Sequence, residues 1–594
     1  MIQTRKKPTE TGAAYITDFL INQQVPYVFG LCGHGILGLL DGLFDRSDEI
    51  KTISVHHESV AAFMADGYFR IAQRPVATYT SCGPGSTNLV VAIAAAMADS
   101  SAMLNITGNV PTTQWNRGPF QESGKYFQGD FVNVLRPYVK RSYQPTRAEM
   151  LPLALRQAFD LMSNGRPGPV HLDVPLNVFA EPVDDDAAAR EAWSAQTWHR
   201  PAGDPGAIDD ALRMLAAAER PVIVAGHGVE LSCAEAALRA LAEKLRIPVA
   251  TTPFGKGTFD ASHPLSLGAT GRNGSLPANG ACRNADVVLA LGTRFDDRAT
   301  SAWLPGFTYA IPPTKLIHVD IDPTEIGKNF EPAIAILGDA KLVLEQLLQR
   351  ASDGPPRAAW HTRIAAWRKR WDDATAPQRG SDAVPIRPER VVADLRRVVP
   401  PDGIVFSDVG VHHNWLISEY DAHRPRTLVQ TWGFASMGFG VAGPLGAKLA
   451  APHSPVVAVC GDGGFVMNAS AVLTAVEYDI PVVWVVWNNF GYCAIRDQQL
   501  GYFGGDRELA TSFTDSSGAL YSADYAMMAR SMGALGATVE RPQDFAPQLE
   551  AAIASGRPAV LDVRIDREVR PLATGSWDLP PRPHPMPNFG WGDE

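Results

Sequence analysis

Apolar residues in this chain gather in short β-branched runs rather than in long amphipathic stripes. "RPVATYTS", "GPVHLDVP", "RPVIVAG", "ADVVLALG", "KLIHVDID", "DGIVFSDVG", "VVAVC", "IPVVWVVW" and "PAVLDVRI" are each bounded by turn residues and separated by segments of helical periodicity. Runs that are apolar on both faces mark central strands of parallel sheets, and their alternation with helices predicts an α/β fold. Two stretches rich in Pro, Asp and Ala, residues 181–205 and 351–390, read as linkers, the second with a short helix in its middle. They leave three doubly wound parallel-sheet domains, 1–182, 203–350 and 385–570, with a tail over 571–594. The first and third blocks match in size and layout, and no short-period repeat is present.

Polar clusters interrupt this pattern at two strand ends. "VVAVC" runs into Gly461-Asp462-Gly463-Gly464, and "IPVVWVVW" runs into Asn488-Asn489, with the helical segment "NASAVLTAVEYD" between them. In open α/β sheets ligands collect at the carboxyl ends of strands, so Asp462 and Asn489 are expected to meet in one site. A carboxylate, an amide oxygen and a backbone carbonyl form a hard oxygen set suited to Mg²⁺ and to phosphates carried with it. The glycines allow close backbone approach to those phosphates at the start of a helix.

Composition narrows the function further. With 594 residues, 45% of them hydrophobic, the chain can bury several cores, and a net charge of −10 without a basic tract argues against a nucleic-acid partner. No run of about 18 apolar residues exists to span a membrane, and the N-terminus lacks the apolar core of a signal peptide. Cys32, Cys82, Cys233, Cys282, Cys460 and Cys493 are scattered without C-x-x-C spacing, which fits reduced thiols in the cytoplasm and no zinc site.

Counted from Gly463 to Asn488, 24 residues intervene, giving GDG-x24-NN. Sequence, spacing and βαβ setting together resemble the diphosphate motif of thiamin diphosphate (ThDP) enzymes. The resemblance implies that Asp462, Asn489 and the carbonyl of Gly491 hold Mg²⁺, with Gly461, Gly463 and Gly464 against the diphosphate. "ISVHHESVAAFMADGYFR" is similar to the segment carrying the family's activating glutamate, here Glu58. "TSCGPGSTN", with Gly83, Pro84 and Asn88, and "GPFQESG", with Gln121 directed into the active site, resemble the pyrimidine-binding domain of the acetolactate synthase (acetohydroxyacid synthase) branch. In the third block "FSDVGVHHNW" places His412 at the diphosphate, with Val411 where glutamine is usual. "QTWGFASMGFGVAGPLGAK" places Met437 under the cofactor as a wedge.

The middle block is similar to the central domain of that same branch, where "RFDDR" and "HVDIDP" line an FAD site. Gly226, Gly228, Arg294, Asp320 and Asp339 are the residues this assigns to FAD, and Arg298 becomes the grip for a second oxo acid's carboxylate. The resemblance covers roughly residues 10 to 570, with departures at the substrate end. His34 stands in "FGLCGHG" where synthases have a Pro-Gly-Gly-Ala loop. Arg272 and Asn273 replace a Met-His pair, and "FGYCAIRDQQ" lacks the Met-Gln-Trp that shapes the second-substrate pocket.

The expected activity is therefore ThDP- and Mg²⁺-dependent chemistry on a 2-oxo acid with a small carbonyl acceptor, with acetolactate synthase-like decarboxylating carboligation of pyruvate leading. A 2-oxo acid decarboxylase or C–C lyase is the alternative that His34, as a proton donor, supports. A catalytically silent regulatory or binding homologue would need Glu58, Asp462 or Asn489 broken, and all three are intact. Glu58 and Asp462 belong to different domains yet serve one cofactor, and the resemblance implies that a homodimer, or a homotetramer built from two, brings them together. The sequence leaves a regulatory subunit open.

Overall fold

The computed structural model describes residues 10–122, 130–183 and 200–575. The tail beyond 575, most of the first linker and the end of "GPFQESG" lie outside the described residues. Among the described residues there are three six-stranded sheets. The first holds β1 (Tyr27–Leu31), β2 (Lys51–Ser54), β3 (Ala77–Thr80), β4 (Leu104–Asn109), β5 (Ser142–Tyr143) and β6 (Val170–Pro175). The second holds β7 (Pro221–Ala225), β8 (Val249–Thr251), β9 (Ser266–Ala269), β10 (Val287–Leu291), β11 (Lys315–Asp320) and β12 (Ile334–Leu337). The third holds β13 (Ile404–Ser407), β14 (Leu428–Gln430), β15 (Val456–Gly461), β16 (Val482–Asn488), β17 (Leu535–Val539) and β18 (Ala559–Arg564). The registered strand pairs are parallel.

Spatial order carries the functional information. The first sheet runs β2-β1-β3-β4-β6-β5 and the third β14-β13-β15-β16-β18-β17, which is the same order. The second runs β12-β11-β10-β7-β8-β9, the order of dinucleotide-binding sheets. In each sheet the chain starts winding one way and then crosses over to wind the other, and the crossover lies between β1 and β3, between β7 and β10, and between β13 and β15. Ligand crevices open at such reversals, beyond the carboxyl ends of the strands. His34 and Gly83 follow the first pair, Gly226 and Arg298 the second, Asp408 and Asp462 the third.

By packing, the chain divides into two compact units: residues up to 199 with 431–453 and 466–482, and residues 200–430 with 454–465 and from 483 onward. In the first unit the helix Glu58–Ala72, buried from Glu58 to Arg70, crosses the helix Phe439–Ala450 at glycines. A Cβ on Gly67 would lie 2.0 Å from the Gly443 carbonyl oxygen, and one on Gly446 1.8 Å from that of Met64. No other residue fits there.

In the second unit, apolar layers cover both faces of the middle sheet. One of them includes Trp360, Ile364, Trp367 and Trp371 from the helix Ala358–Arg379. This helix of 22 residues is much longer than the short one read from the second linker. Its buried stripe is narrow and most other positions are Arg, Lys, Ala or Asp, so its sequence resembles a solvated connector. The "NASAVLTAVEYD" helix also differs from expectation: helix begins at Asp462, breaks after Met467 and resumes over Ala471–Glu477. At the break the Asn468 amide donates to the Gly438 carbonyl (3.2 Å) and accepts from the Ser59 hydroxyl (3.2 Å). An asparagine side chain engaged in this way serves fixed neighbours outside its own helix.

Candidate active site

The Asp462 carboxylate, 1% exposed, sits at the end of β15 inside a cradle of backbone amides. Its Oδ1 accepts from the N–H of Gly463 (2.8 Å), and its Oδ2 from those of Asn489 (3.2 Å) and Gly491 (3.1 Å). The strand ends of β15 and β16 are thus joined through one carboxylate, as their polar termini predict. Burial pushes this carboxyl up to about 6, and these three amides, with that of Phe490, oppose the rise.

The Asn489 Oδ1 beside it is buried with no hydrogen-bond partner. Such an atom costs about 1–3 kcal/mol unless something satisfies it. The Gly491 carbonyl accepts the Cys493 N–H at 2.9 Å, which occupies one of its two lone pairs. Gly491 has φ 155°, and a Cβ there would meet the Thr511 carbonyl oxygen at 2.2 Å. The donor set of carboxylate, unsatisfied amide oxygen and carbonyl fits Mg²⁺.

Glycine is required around this cradle. A Cβ on Gly464 would lie 2.2 Å from Asp408 Oδ2, and one on Gly463 2.3 Å from the Tyr492 ring. Gly461 faces the His412 ring. His412 begins the helix His412–Glu419 and its Nε2 pairs with the Asp408 carbonyl at 2.8 Å. Burial pushes its imidazole down to about 4, so it is neutral at pH 7. At the other end of that helix the buried Lys256 ammonium donates to the carbonyls of Leu416 (3.3 Å) and Ile417.

In the first unit, Glu58 is the first residue of its helix and 9% exposed. Its Oε2 accepts from the Asn88 amide at 2.9 Å, and its Oε1 lies 3.3 Å from where a Gly85 Cβ would stand. The turn that brings Asn88 there needs Gly83, whose φ is +63°, followed by Pro84 in the first helical turn. Gln121, also at positive φ, accepts through Oε1 from the Ser81 hydroxyl (3.2 Å) and the Cys82 thiol (3.6 Å). Ser81 Oγ accepts in turn from the Gly35 N–H at 3.0 Å, so the His34 loop and Gln121 meet on one hydroxyl. His34 is exposed and its ring meets Phe120 edge-on at 6.4 Å. Sequence reading overlooked Ser81; its position directly before the Cys82-Gly83-Pro84 turn was the available signal.

Most of the chain matches known proteins. Residues 10–128, 208–347 and 408–563 match, in that order, the N-terminal TPP binding, central and C-terminal TPP binding domains of thiamine pyrophosphate enzymes, TPP being another name for ThDP. A probable acetolactate synthase large subunit of Methanocaldococcus jannaschii is 36% identical over 93% of this chain and 92% of its own. The acetolactate synthase isozyme 3 large subunit of Escherichia coli K12 is 32% identical, covering 94% and 95%. The acetolactate synthase large subunit of Corynebacterium glutamicum is 33% identical, covering 95% and 88%. The chain belongs to the thiamine pyrophosphate enzymes. Within them it falls in the acetolactate synthase large-subunit branch, and it is an enzyme of that type.

For a member of this branch the middle sheet is the informative part. At the β7/β10 reversal Gly226 and Gly228 pack against Gly292, with Cβ positions 2.2 and 2.6 Å from its atoms. Arg294 lies over the Phe254 ring at 5.9 Å, and His227 tilts against the same ring. Asp320, at the end of β11, accepts the Asp322 N–H at 2.9 Å. Asp339 caps the helix Ala340–Arg350 and pairs with Arg200 at 2.9 Å. The five residues assigned to FAD thus line strand ends of one sheet, and Asp339 has a structural occupation as well.

Arg298 is half-buried in the short helix Asp297–Thr300, which Asp296 caps. Burial holds its guanidinium below the usual range. Burial first, and the Arg298 charge after it, lower His413, the neighbour of His412, and hold Arg272 down to about 9. The backbone N–H of Arg272 donates to the Arg298 carbonyl at 2.8 Å. Thus Arg298, Arg272 and His413 are brought together within the second unit.

Proposed function

We propose that this enzyme carries out Mg²⁺-dependent decarboxylating carboligation of pyruvate, or of a close 2-oxo acid, onto a small carbonyl acceptor. Bound ThDP would supply the carbon nucleophile and take up the electron pair released with CO₂. The observation that carries the first half is the Asp462 cradle with the unsatisfied Asn489 Oδ1: Asp462, Asn489 and the Gly491 carbonyl hold Mg²⁺, with Gly461, Gly463, Gly464 and His412 around the diphosphate. Glu58, oriented by Asn88, holds a proton on the aminopyrimidine; Gly83 and Pro84 shape that wall and Met437 supports the ring from below. Gln121 orients the substrate. The printed names of the relatives and the placement of Arg298 beside His413 support carboligation, since a guanidinium there suits the acceptor's carboxylate.

A second reading follows from His34. Its ring is exposed on the same loop cluster as Gln121, where an imidazole can deliver a proton and end the reaction at decarboxylation or C–C cleavage. Incubating purified protein with ThDP, Mg²⁺, FAD and pyruvate, alone and with aldehydes or other oxo acids, decides between the two. Acetolactate or a mixed acyloin supports carboligation; acetaldehyde alone supports the second reading; no pyruvate consumption refutes both.

Glu58 and Asp462 lie in different compact units. By the family resemblance the proposal includes a homodimer, or a homotetramer built from two, in which each cofactor takes Glu58 from one chain and Asp462 from the other. FAD is proposed at Gly226, Gly228, Arg294, Asp320 and Asp339, so purified protein should be yellow and release FAD on denaturation; colourless protein that FAD cannot reconstitute refutes this. Six free thiols accord with a cytoplasmic setting. Among the described residues no helix is long and apolar enough to cross a membrane.

A further inference from the structure

One buried ionic cluster lies outside the site described above. Arg70, in the last turn of the Glu58 helix, is 5% exposed and bonds Asp66 through Nε (2.7 Å) and Asp99 through a terminal nitrogen (2.9 Å). Asp66 also accepts from the Ser101 hydroxyl at 2.5 Å. Asp99, 1% exposed, ends the helix Pro84–Ala98. Its Oδ2 accepts from the Thr431 hydroxyl (2.6 Å) and its Oδ1 from the Gly433 N–H (2.7 Å). A Cβ on Gly433 would stand 2.6 Å from that same oxygen. The Arg70 guanidinium also lies over the Phe439 ring at 4.9 Å.

Two carboxyl groups share one guanidinium in a dry interior, and burial raises that of Asp66. Ion clusters of this kind are poor sources of stability, because an apolar replacement often serves as well; their best use is to specify geometry. Here the geometry belongs to residues 431–438, which have no regular structure between β14 and the helix Phe439–Ala450. Ala435 and Gly438 take positive φ of 53° and 91°. The far end of the segment is also held, where the Asn468 amide donates to the Gly438 carbonyl at 3.2 Å. Between the Asp99 and Asn468 clamps stands Met437.

We infer that Asp99 is a positioning residue that sets the height of Met437 through Thr431 and Gly433, and with it the rate at which the bound cofactor loses its C2 proton. This rests on the reading of Met437 as the support beneath the cofactor. Asp462 and Asn489 remain unchanged, so cofactor affinity should hardly move.

Three variants of the full-length enzyme test the inference. Thr431→Val removes only the hydroxyl that Asp99 holds; Asp99→Asn keeps the shape and removes the charge; Met437→Ala tests the underlying reading. Two quantities are measured: hydrogen exchange of backbone amides in residues 431–437 of the apoenzyme, and C2 proton exchange of ThDP bound with Mg²⁺. Thr431→Val should raise the first and lower the second by about tenfold each, the factor one charge-assisted hydrogen bond supports, with ThDP affinity unchanged within about twofold. Thr431→Ser should restore both. If Met437→Ala slows C2 exchange while Thr431→Val and a folded Asp99→Asn leave it at the wild-type rate, Asp99 is only structural and the inference fails. If Met437→Ala leaves C2 exchange unchanged, the reading of Met437 fails and the inference with it.

Discussion

Asn489→Ala should act with opposite sign on the empty and loaded enzyme. In the apoprotein the Asn489 Oδ1 is buried without a partner, a cost of about 1–3 kcal/mol. Alanine removes that atom, and the lost packing of the rest of the amide offsets part of the gain. The Asn489 backbone N–H still reaches Asp462, so the cradle survives. Apoenzyme stability should therefore stay level or rise. With Mg²⁺ and ThDP present at about 100 times their dissociation constant, wild type gains about 2.7 kcal/mol, or roughly 2–4 °C in melting temperature for a cooperative unit of this size. The variant should lose most of that gain. Thermal unfolding of both proteins, with EDTA and with Mg²⁺ plus ThDP, reads the four values. A variant that is destabilised without ligands yet keeps the full Mg²⁺–ThDP shift would refute the assignment of Asn489 as a metal ligand.

Glu58→Gln keeps the Asn88 contact sterically possible, so ThDP binding should persist while C2 proton exchange, followed by NMR, slows by at least about a hundredfold; near-normal exchange would dismiss Glu58 as the activating group. His34→Ala should shift the ratio of protonated to ligated product more than it shifts pyruvate consumption, measured by product chromatography, and unchanged ratio and turnover would make His34 structural. Lys256 offers a pH test. Burial holds its ammonium down to about 8 against 10.5 when unfolded, with Glu419 and Asp421 opposing and Arg379 assisting. A cation that is harder to keep charged in the fold destabilises it below pH 8, and that cost disappears as pH rises from 8 to 10.5. The gain is about 3 kcal/mol. Lys256→Met should flatten that part of the stability curve in urea titrations, and an unaltered curve would rule Lys256 out as its source.

Where each physical signal was local, the sequence was legible. The β-branched runs became central strands, and GDG-x24-NN brought Asp462 to the amides of Asn489 and Gly491 because one βαβ unit determines that meeting. Glu58 was readable only through resemblance: nothing near it in sequence announces Asn88, which reaches it across a turn that Gly83 makes possible. The helix Ala358–Arg379 was underestimated because its tryptophans are diluted by charged positions. Neither the Asp66–Arg70–Asp99 cluster nor its hold on Thr431 could be seen in advance: Asp99 and Thr431 are separated by more than 300 positions, and nothing in the segments that carry Asp66, Arg70 and Thr431 announces the pairing. Buried ion networks are a property of tertiary packing, and a linear pattern of apolar and polar residues does not encode who pairs with whom.

The glycine crossing of the Glu58 helix and the helix Phe439–Ala450 bears on modularity. Two segments of the C-terminal third, 431–453 and 466–482, are packed into the body formed by the first third, so the stretch that a sequence comparison delimits as one domain is divided between two bodies. A gene cut at the second linker would yield fragments that each lack part of their own packing partner. Recombination between relatives would meet the same barrier: the first and last thirds must come from one parent, or from parents that agree at Gly67, Gly443 and Gly446, while the middle third can be exchanged with fewer conditions at this crossing. The piece of chain that is heritable as a unit is not the piece that packs as one.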